Sequence, residues 1–571
     1  MKYTDLQSFF YERMIELFQK DTIDSFRVRC NNSLSLLDEA IYLIQCWNEN
    51  KIKQFETLQL CFEELLSTIE NDTCIDYSFY SKKLFRQDIE EYIKSNGKEV
   101  HKSRQVLHIL SKCIEHNRPT YIKLSFKKIE DIIFQKGRFK KENLMSILIE
   151  LDPIITNLGC ELVNIGFSKI NIYLKTRRIF EHTRDFKKAF EIFKSIFTNT
   201  NPIKHTVIFR FRLPQKLISL NIFNETLDQT YITEYTKRRF NSFITPQKYM
   251  RYYWVDTSSL DQSSAVKEAK NKLLLLLDNL HLGLNSLDVN IPYTALVIKH
   301  EEDGDFYTTM TTDYEVDGSF SDDIEKAKRF ENRLSKIFSN NSITKDVKDR
   351  IQAALRHLRV GNVNAEIEQR FINYWIALEF IFSSADKEIS TYLKLKTNLV
   401  QILITCYAKR NLIYLNKLFS DNGITDCNID FWNLKEKDRD NAIGKCSSIW
   451  LQYRYFCIKS SLLTHSDKRK KYIQRHEKNL TQQISRIYRF RNELIHEAAI
   501  KHDLENITGN LRYYLVFILS QMIGYYYNIS ENNKFITLDD FFCENRIRYR
   551  SIVDTYDLNS LISVPIEIDL L

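Results

Sequence analysis

One segment near the end of the chain carries the three side chains whose types and spacing best suit chemistry. Arg491 is followed directly by Asn492, and His496 comes four residues later. A guanidinium offers planar, permanently charged donors to an anion, and an imidazole exchanges a proton near neutral pH. Residues four apart lie on the same flank of a helix, so the sequence predicts that one helix presents all three groups to a cleft.

Arg491 is expected to project from the centre of an apolar stripe. At about 100° per residue, six apolar residues lie within about 60° of it: Ile484, Ile487, Tyr488, Leu494, Ile495 and Ala498. An unpaired buried charge is costly, so this position predicts a nearby acid, an anion or a subunit boundary. The best candidate is Glu379, on the apolar face of a helix expected over residues 366–382.

Structural alternatives stay open for these residues. His496 could be a satisfied histidine near a helix C-terminus, where the dipole favours a cation. The pair of Arg491 and Glu379 could serve only to lock two helices together. The same spacing of arginine and histidine recurs at Arg177 and His182, where we interpret it as chance because no asparagine follows the arginine.

The combination of Arg491, Asn492 and His496 with the upstream segment Trp375–Glu379 resembles the HEPN superfamily, most closely the ApeA-like branch of bacterial anti-phage and abortive-infection proteins. The resemblance covers about residues 350–530. It implies a helical bundle that dimerises with two motif helices facing each other, and a metal-independent endoribonuclease site in the dimer cleft. It also implies that Arg491 and His496 are the catalytic pair, with Asn492 as the supporting polar residue.

The implied chemistry suits these residue types. RNA cleaves itself when a 2′-hydroxyl attacks the adjacent phosphate, so an enzyme needs a proton acceptor or donor and a fixed cation on the developing phosphorane. His496 and Arg491 offer these two groups, and the scheme requires no metal or other cofactor. The expected partners are RNA, including tRNA, a second copy of the chain and a phage-derived trigger. Glu497, where many relatives have a small residue, adds a negative charge beside the expected phosphate site.

A basic run precedes the motif and could guide RNA phosphates into the cleft. It comprises Lys468, Arg469, Lys470, Lys471 and Arg475. A solvated charged face is an equally good interpretation of this run. Two other basic stretches with aromatic residues, Lys237–Phe240 and Arg138–Lys141, are expected to be ordinary surface.

Composition excludes several classes. The 571 residues include only 12 glycines and 7 prolines, whereas 43% are hydrophobic, so disordered and low-complexity classes are excluded and helices should dominate. No G-x-x-x-x-G-K-[ST] and no G-x-G-x-x-G occurs, which disfavours nucleotide-driven motors and dinucleotide enzymes. Histidines and cysteines do not cluster at metal-ligand spacing, and no H-E-x-x-H is present, so no metal site is expected.

Charge and cysteine usage favour the cytoplasm. The net charge of +8 is a mild excess that permits an anionic partner. The 11 cysteines are scattered, and Asp5 and Glu12 interrupt the start of the chain, which predicts reduced thiols without a secretory signal. The longest apolar run, Tyr513–Tyr527, is too short for a membrane span and predicts a buried helix.

The proline distribution suggests the organisation of the chain, because six of the seven prolines lie between residues 119 and 292. We expect a mainly α protein with a central α+β module. The expected parts are an N-terminal helical module (1–118), the α+β module (119–345), a HEPN-like helical bundle (346–530) and a tail (531–571). Within the α+β module, the patterns predict two strands, a hairpin turn and a helix: Lys204–Leu213, Ala295–Lys299, Asp303-Gly304 and Ser264–Leu282.

Under the first hypothesis the bundle cuts RNA, while the preceding modules sense an infection signal or restrain the nuclease. Two other function classes stay open. The bundle could be a non-catalytic dimerisation or nucleotide-binding module. A metal-dependent DNA nuclease in the central module would need convergent carboxylates, but Asp317, Asp322 and Asp323 are expected to be turn and helix-cap residues.

Overall fold

The chain is mainly helical and contains one four-stranded antiparallel sheet, which confirms the mainly α class with an α+β part. It divides into two compact units, which we call the sheet unit (159–315) and the helical unit (2–158 and 316–571). The structure, a computed structural model, describes residues 3–19, 31–134, 143–213, 222–281, 289–313, 323–383, 390–424, 431–497, 504–530 and 535–567.

The first part of the helical unit consists of long helices with polar caps. The Thr4 and Asn32 side chains each accept a hydrogen bond from a backbone N–H three residues later and so fix the starts of the first two helices. The helices are α1 (Asp5–Phe18), α2 (Ser33–Asn48), α3 (Glu56–Ile69), α4 (Lys82–Lys94), α5 (Val100–Phe134) and α6 (Leu144–Asn164).

The module boundary expected at residue 118 falls inside α5, whereas the two compact units divide at residues 158–159, inside α6. Pro119 is exposed on this helix. A proline removes one backbone hydrogen bond, and on the exposed face water can satisfy the freed carbonyl. The proline therefore marks no domain boundary here.

The sheet unit begins with two helices and builds its sheet in the order β2-β1-β3-β4. Val207 of the long central strand pairs with Val255 on one side and Val297 on the other. The elements are α7 (Lys169–His182), α8 (Phe186–Thr198), β1 (Ile203–Arg212), α9 (Glu234–Arg239), α10 (Asn241–Ile244), β2 (Met250–Ser259), α11 (Gln262–His281), β3 (Thr294–Lys299) and β4 (Phe306–Thr311).

Both expected strands, the expected helix and the hairpin turn are confirmed in the sheet unit. The turn between β3 and β4 contains Gly304 at φ +124°, a conformation that glycine adopts without strain. One face of the sheet packs against α11 around Val207, Phe209 and Leu273. The other face is covered around Ile208, Ile244 and Tyr252.

The second part of the helical unit holds the expected helix over residues 366–382, and this prediction is confirmed. Residues 535–567, expected as part of a tail, include two helices that pack against α15. Within the described ranges, no helix combines the length and apolar character needed to cross a bilayer. The helices are α12 (Ile324–Ser339), α13 (Lys345–Val363), α14 (Ile367–Phe382), α15 (Thr391–Asp421), α16 (Glu436–Gly444), α17 (Ile449–Ser461), α18 (Ser466–Glu497), α19 (Leu504–Tyr527), α20 (Leu538–Thr555) and α21 (Leu558–Ile562).

Candidate functional site

The candidate site lies where α18 packs against α14 in the helical unit. Arg491 Nη2 lies 3.4 Å from Glu379 Oε1, and Arg491 Nη1 donates a hydrogen bond to Asn492 Oδ1 at 3.1 Å. The side chains of Arg491 and Glu379 are 24% and 31% exposed. The two charges that the sequence places on facing apolar helices therefore form an ion pair, and solvent reaches both of them.

Arg491 retains hydrogen-bonding capacity. Its Nε atom is buried and has no hydrogen-bond partner among the described residues. A guanidinium has five N–H donors, and the contacts to Glu379 and Asn492 occupy only part of them. The 3.4 Å separation from Glu379 is also longer than a close charge-assisted hydrogen bond. The contacts to Glu379 and Asn492 therefore do not saturate the Arg491 guanidinium.

His496 lies in α18, one helical turn after Asn492. The side chains of His496 and Glu497 lie outside the described part of the structure. The catalytic role expected for His496 stays a prediction. The helix itself begins at Ser466 and includes the basic run.

A buried ion-pair network lies next to the candidate site on the same helix. Arg486 Nη2 lies 2.8 Å from both Glu39 Oε2 of α2 and Glu64 Oε2 of α3. Arg489 Nη2 lies 2.7 Å from the other oxygen of Glu39. All four side chains are buried or nearly so, and this clamp of Glu39, Glu64, Arg486 and Arg489 joins the N-terminal helices to the motif helix.

In this clamp, the neighbouring charges shift the pKa values more strongly than burial does. Burial alone would raise the pKa of Glu39, but the charges of Arg486 and Arg489 outweigh it and lower this pKa to about 2. For Arg486, burial works to lower the pKa, and the two carboxylates more than compensate and raise it. The ionised forms of both partners are thus mutually stabilised.

The clamp has no room for a substrate. A cavity of about 10 Å³ lies among Glu39, Glu64, Gln482 and Arg486, which is at the lower limit for one water molecule. Buried arginines that are paired with carboxylates in such a space hold the helices together and leave no room for an RNA phosphate. The clamp therefore positions α18 but is not itself the candidate site.

Glu493, two residues after Arg491, lies beside the clamp and also contacts α2. Tyr42 of α2 donates a hydrogen bond through its hydroxyl to Glu493 Oε1 at 3.0 Å. Arg489 Nε lies 3.6 Å from the same oxygen. Burial, a hydrogen bond with Cys46 and the charge of Glu493 raise the pKa of Tyr42. The N-terminal helices thus contact the motif segment directly.

Sequence reasoning missed the clamp. Glu39 and Glu64 lie at the edges of the apolar faces of α2 and α3, which is a weaker signal than the position of Arg491 at the centre of an apolar stripe. Helical periodicity identifies the face on which a charge lies but not the helix it meets. The partners are separated by more than 400 residues along the chain.

The basic run lies far from Arg491 along α18. At a rise of about 1.5 Å per residue, Arg475 is about 24 Å and Lys468 about 35 Å away along the helix axis. Arg469 Nε donates a hydrogen bond to the Tyr556 carbonyl at 2.7 Å. The other members, Lys468, Lys470, Lys471 and Arg475, are exposed. The structure therefore brings Arg491, Asn492 and Glu379 together but leaves the run apart from them.

The other residues that the sequence singled out lie away from Arg491 along the chain. Arg177 pairs with Glu181 at 3.0 Å on an exposed face of α7. Asp323 caps α12 by accepting a hydrogen bond from the Lys326 backbone at 3.0 Å, as expected, whereas Asp317 and Asp322 lie outside the described residues. Arg138–Lys141 lies outside them as well. In the portion of the chain that the structure describes, no three ligating side chains are grouped for a metal ion.

Comparison with protein-family profiles, curated proteins and solved structures finds no match for this chain.

Proposed function

We propose that this protein is a metal-independent endoribonuclease that cleaves RNA at Arg491, Asn492 and His496. The observation that carries the proposal is a contrast among three arginines of one helix. Arg486 and Arg489 are buried and each lies within 2.8 Å of a carboxylate, whereas Arg491 is 24% exposed and its carboxylate partner lies 3.4 Å away. Arg491 is therefore the arginine of this segment that an RNA phosphate can reach.

Each group has a distinct role in the proposed reaction. Arg491 binds the phosphate and stabilises the charge that develops on the phosphorane. His496 takes the proton from the 2′-hydroxyl or supplies one to the leaving 5′-oxygen. The 2′-oxygen forms a new bond to phosphorus and the bond to the 5′-oxygen breaks, which yields a 2′,3′-cyclic phosphate and a 5′-hydroxyl. Asn492 and Glu379 orient the guanidinium.

We further propose that the site is completed in a homodimer. Two large apolar side chains close to the ion-pair residues along the two helices are exposed: Phe380, next to Glu379 on α14, and Ile495, one turn beyond Arg491 on α18. Exposed apolar groups beside a polar site are typical of a surface that a partner covers. A second copy would bring two motif segments together, so that one His496 acts as base and the other as acid.

We also propose that this nuclease belongs to a bacterial anti-phage system of the abortive-infection or toxin type, because its motif resembles the HEPN superfamily. Its proposed substrate is RNA, with tRNA as one candidate, and its proposed trigger is a phage product. The clamp supports the idea that the N-terminal helices restrain or position the nuclease, because they contact the motif helix directly.

The decisive experiment incubates purified full-length protein with total RNA and with tRNA in EDTA. We expect cleavage that leaves 2′,3′-cyclic phosphate ends and that is lost in both Arg491→Ala and His496→Ala. Arg546→Ala, a change at an exposed arginine of α20, is the matched control and should cut like the unmodified protein. Undiminished cleavage by His496→Ala would eliminate the proposed catalytic role.

A second candidate function is a non-catalytic dimerisation or nucleotide-binding module. The ion pair between Arg491 and Glu379 favours it, because such a pair can exist solely to hold α14 against α18. Under this function Arg491→Ala lowers the free energy of unfolding and the purified protein cuts no RNA under any condition. Cleavage in EDTA by a variant-sensitive site would exclude it.

A further inference from the structure

The outer side of α9 and α10 in the sheet unit carries an unusual concentration of positive charge. The segment over residues 233–251 contains five basic residues and a single acid, Glu234. Glu234 pairs with Lys237 at 3.1 Å and is itself almost fully exposed. Among the described residues, Arg238, Arg239 and Lys248 have no carboxylate partner, and all three are exposed. This surface is therefore poorly neutralised by the protein itself.

An exposed aromatic ring lies beside a cation near each end of this segment. Tyr235 is 44% exposed and Tyr249 is 39% exposed. Each ring has a cation beside it: the Arg239 guanidinium lies 5.8 Å from the Tyr235 ring, and Lys248 Nζ lies 5.4 Å from the Tyr249 ring. We call these residues the basic–aromatic surface: Tyr235, Lys237, Arg238, Arg239, Lys248 and Tyr249.

The buried side of the same segment holds this surface in place. The Tyr235 ring packs 6.1 Å from Tyr307 of β4 and 6.2 Å from Phe240. Arg210 of β1 donates a hydrogen bond to the Thr245 carbonyl at 2.9 Å, and the Tyr252 hydroxyl of β2 donates one to the Phe243 carbonyl at 2.8 Å. The exposed rings and cations therefore project from a backbone anchored to the sheet.

We propose that the basic–aromatic surface binds single-stranded RNA. Cations beside exposed rings meet both needs of such a ligand, because phosphates require positive charge and unpaired bases stack on aromatic faces. A duplex would satisfy the cations but leave the rings unused, since its bases are already stacked. An anionic membrane would likewise need only the charge. The choice of RNA over DNA rests on the proposed nuclease function, whereas binding of a single strand does not.

The test uses full-length protein and a fluorescent 16-nucleotide strand of 2′-O-methyl RNA, followed by fluorescence anisotropy. This probe lacks the attacking 2′-hydroxyl, so binding is measured without cleavage and a failed nuclease would not affect the result. A DNA strand of the same sequence, the matched RNA duplex and vesicles containing phosphatidylserine are the comparison ligands. The variants are Lys237→Gln/Arg238→Gln, Tyr235→Ala and Tyr249→Ala.

The double change Lys237→Gln/Arg238→Gln should weaken binding at least about tenfold in 0.1 M salt. It should also make the negative slope of log K against log salt less steep by about 1.4. Each tyrosine change should weaken binding roughly 5- to 150-fold, the range for loss of one base stack. The control Lys187→Gln/Lys188→Gln removes the same charge from exposed residues of α8 in the same unit and should leave the affinity within about twofold.

Several results would overturn the proposal. Equal weakening by the α8 control would show that only net charge matters. Equal affinity for the duplex, with no effect of the tyrosine changes, would remove the role of stacking. Binding to the vesicles but not to the RNA strand would identify a membrane surface, and tighter binding of DNA than of RNA would reject RNA as the ligand.

Discussion

The clamp provides the strongest quantitative prediction about how α18 is held. Glu39→Gln keeps the shape of the side chain but removes the charge that faces Arg486 and Arg489. The folded-state pKa of about 2, against an ordinary value of 4.5, corresponds to about 3 kcal/mol of stabilisation at 1.36 kcal/mol per pKa unit. The variant also leaves two buried guanidiniums with less negative charge beside them. We therefore expect its free energy of unfolding to fall by about 3–5 kcal/mol at neutral pH.

The pH dependence has a defined sign. The folded-state pKa of Glu39 is lowered, so its contribution is fully present above the unfolded value of 4.5 and is lost as the pH falls toward about 2. Glu39→Gln does not titrate at this position. The difference in unfolding free energy between the unmodified protein and the variant should therefore be largest at neutral pH and should shrink between pH 4.5 and pH 2.

Urea-induced unfolding followed by far-ultraviolet circular dichroism measures this difference. Glu63→Gln is the matched control, because Glu63 also links α3 to α18, through Lys478 at 3.0 Å, but that pair is partly exposed. An exposed ion pair is worth about 0–1 kcal/mol, and the control should change stability by no more than that. Equal effects of the two variants, or a difference that does not change with pH, would refute the clamp as an energetic link.

Three further perturbations test the surroundings of Arg491. Glu379→Ala should lower the free energy of unfolding by about 1 kcal/mol in urea titrations, since it strands a half-buried Arg491, and an unchanged midpoint would exclude the pairing. Tyr42→Phe removes the hydrogen bond to the Glu493 carboxylate and should cost about 1.5–3 kcal/mol, whereas a stability equal to the unmodified protein would show that solvent replaces this contact. Ile495→Glu should convert the proposed dimer to a monomer in light-scattering measurements, and a variant that stays dimeric would move the interface elsewhere.

Local sequence patterns predicted those elements whose alternation or turn chemistry can be recognised within a few residues. The strand β1 shows alternation at its end, where Phe209 and Phe211 are buried while Arg210 is half-buried and Arg212 is exposed, and Asp303-Gly304 supplies the turn chemistry of the hairpin between β3 and β4. The sequence did not predict β2, because its residues include a continuous apolar run in which no alternation of apolar and polar residues can be recognised: Tyr252, Tyr253, Trp254 and Val255. Burial on both faces of that strand, a tertiary property, removes the alternation on which the prediction depends.

The candidate site was also predictable only in part, because the contacts between its helices depend on tertiary packing. Arg491 and Glu379 each interrupt an apolar helical face, so each demands a partner, and one pair satisfies both demands. The clamp also consists of charges on apolar faces, but four charges on three helices allow several pairings that periodicity cannot distinguish. Which carboxylate meets which guanidinium depends on how α2 and α3 dock on α18, and that docking is decided by packing over the whole unit.

The clamp bears on the proposed catalysis through its position around Arg491. Arg489 and Glu493 lie two residues before and two residues after Arg491, and both are buried in contacts with α2. The backbone that carries Arg491 is therefore fixed on either side, while its guanidinium remains partly open to solvent. A charge held this way loses little freedom when it binds a phosphate, which is the condition for strong transition-state stabilisation. The buried contacts of Arg489 and Glu493 thus fix the backbone at Arg491 while its guanidinium stays accessible.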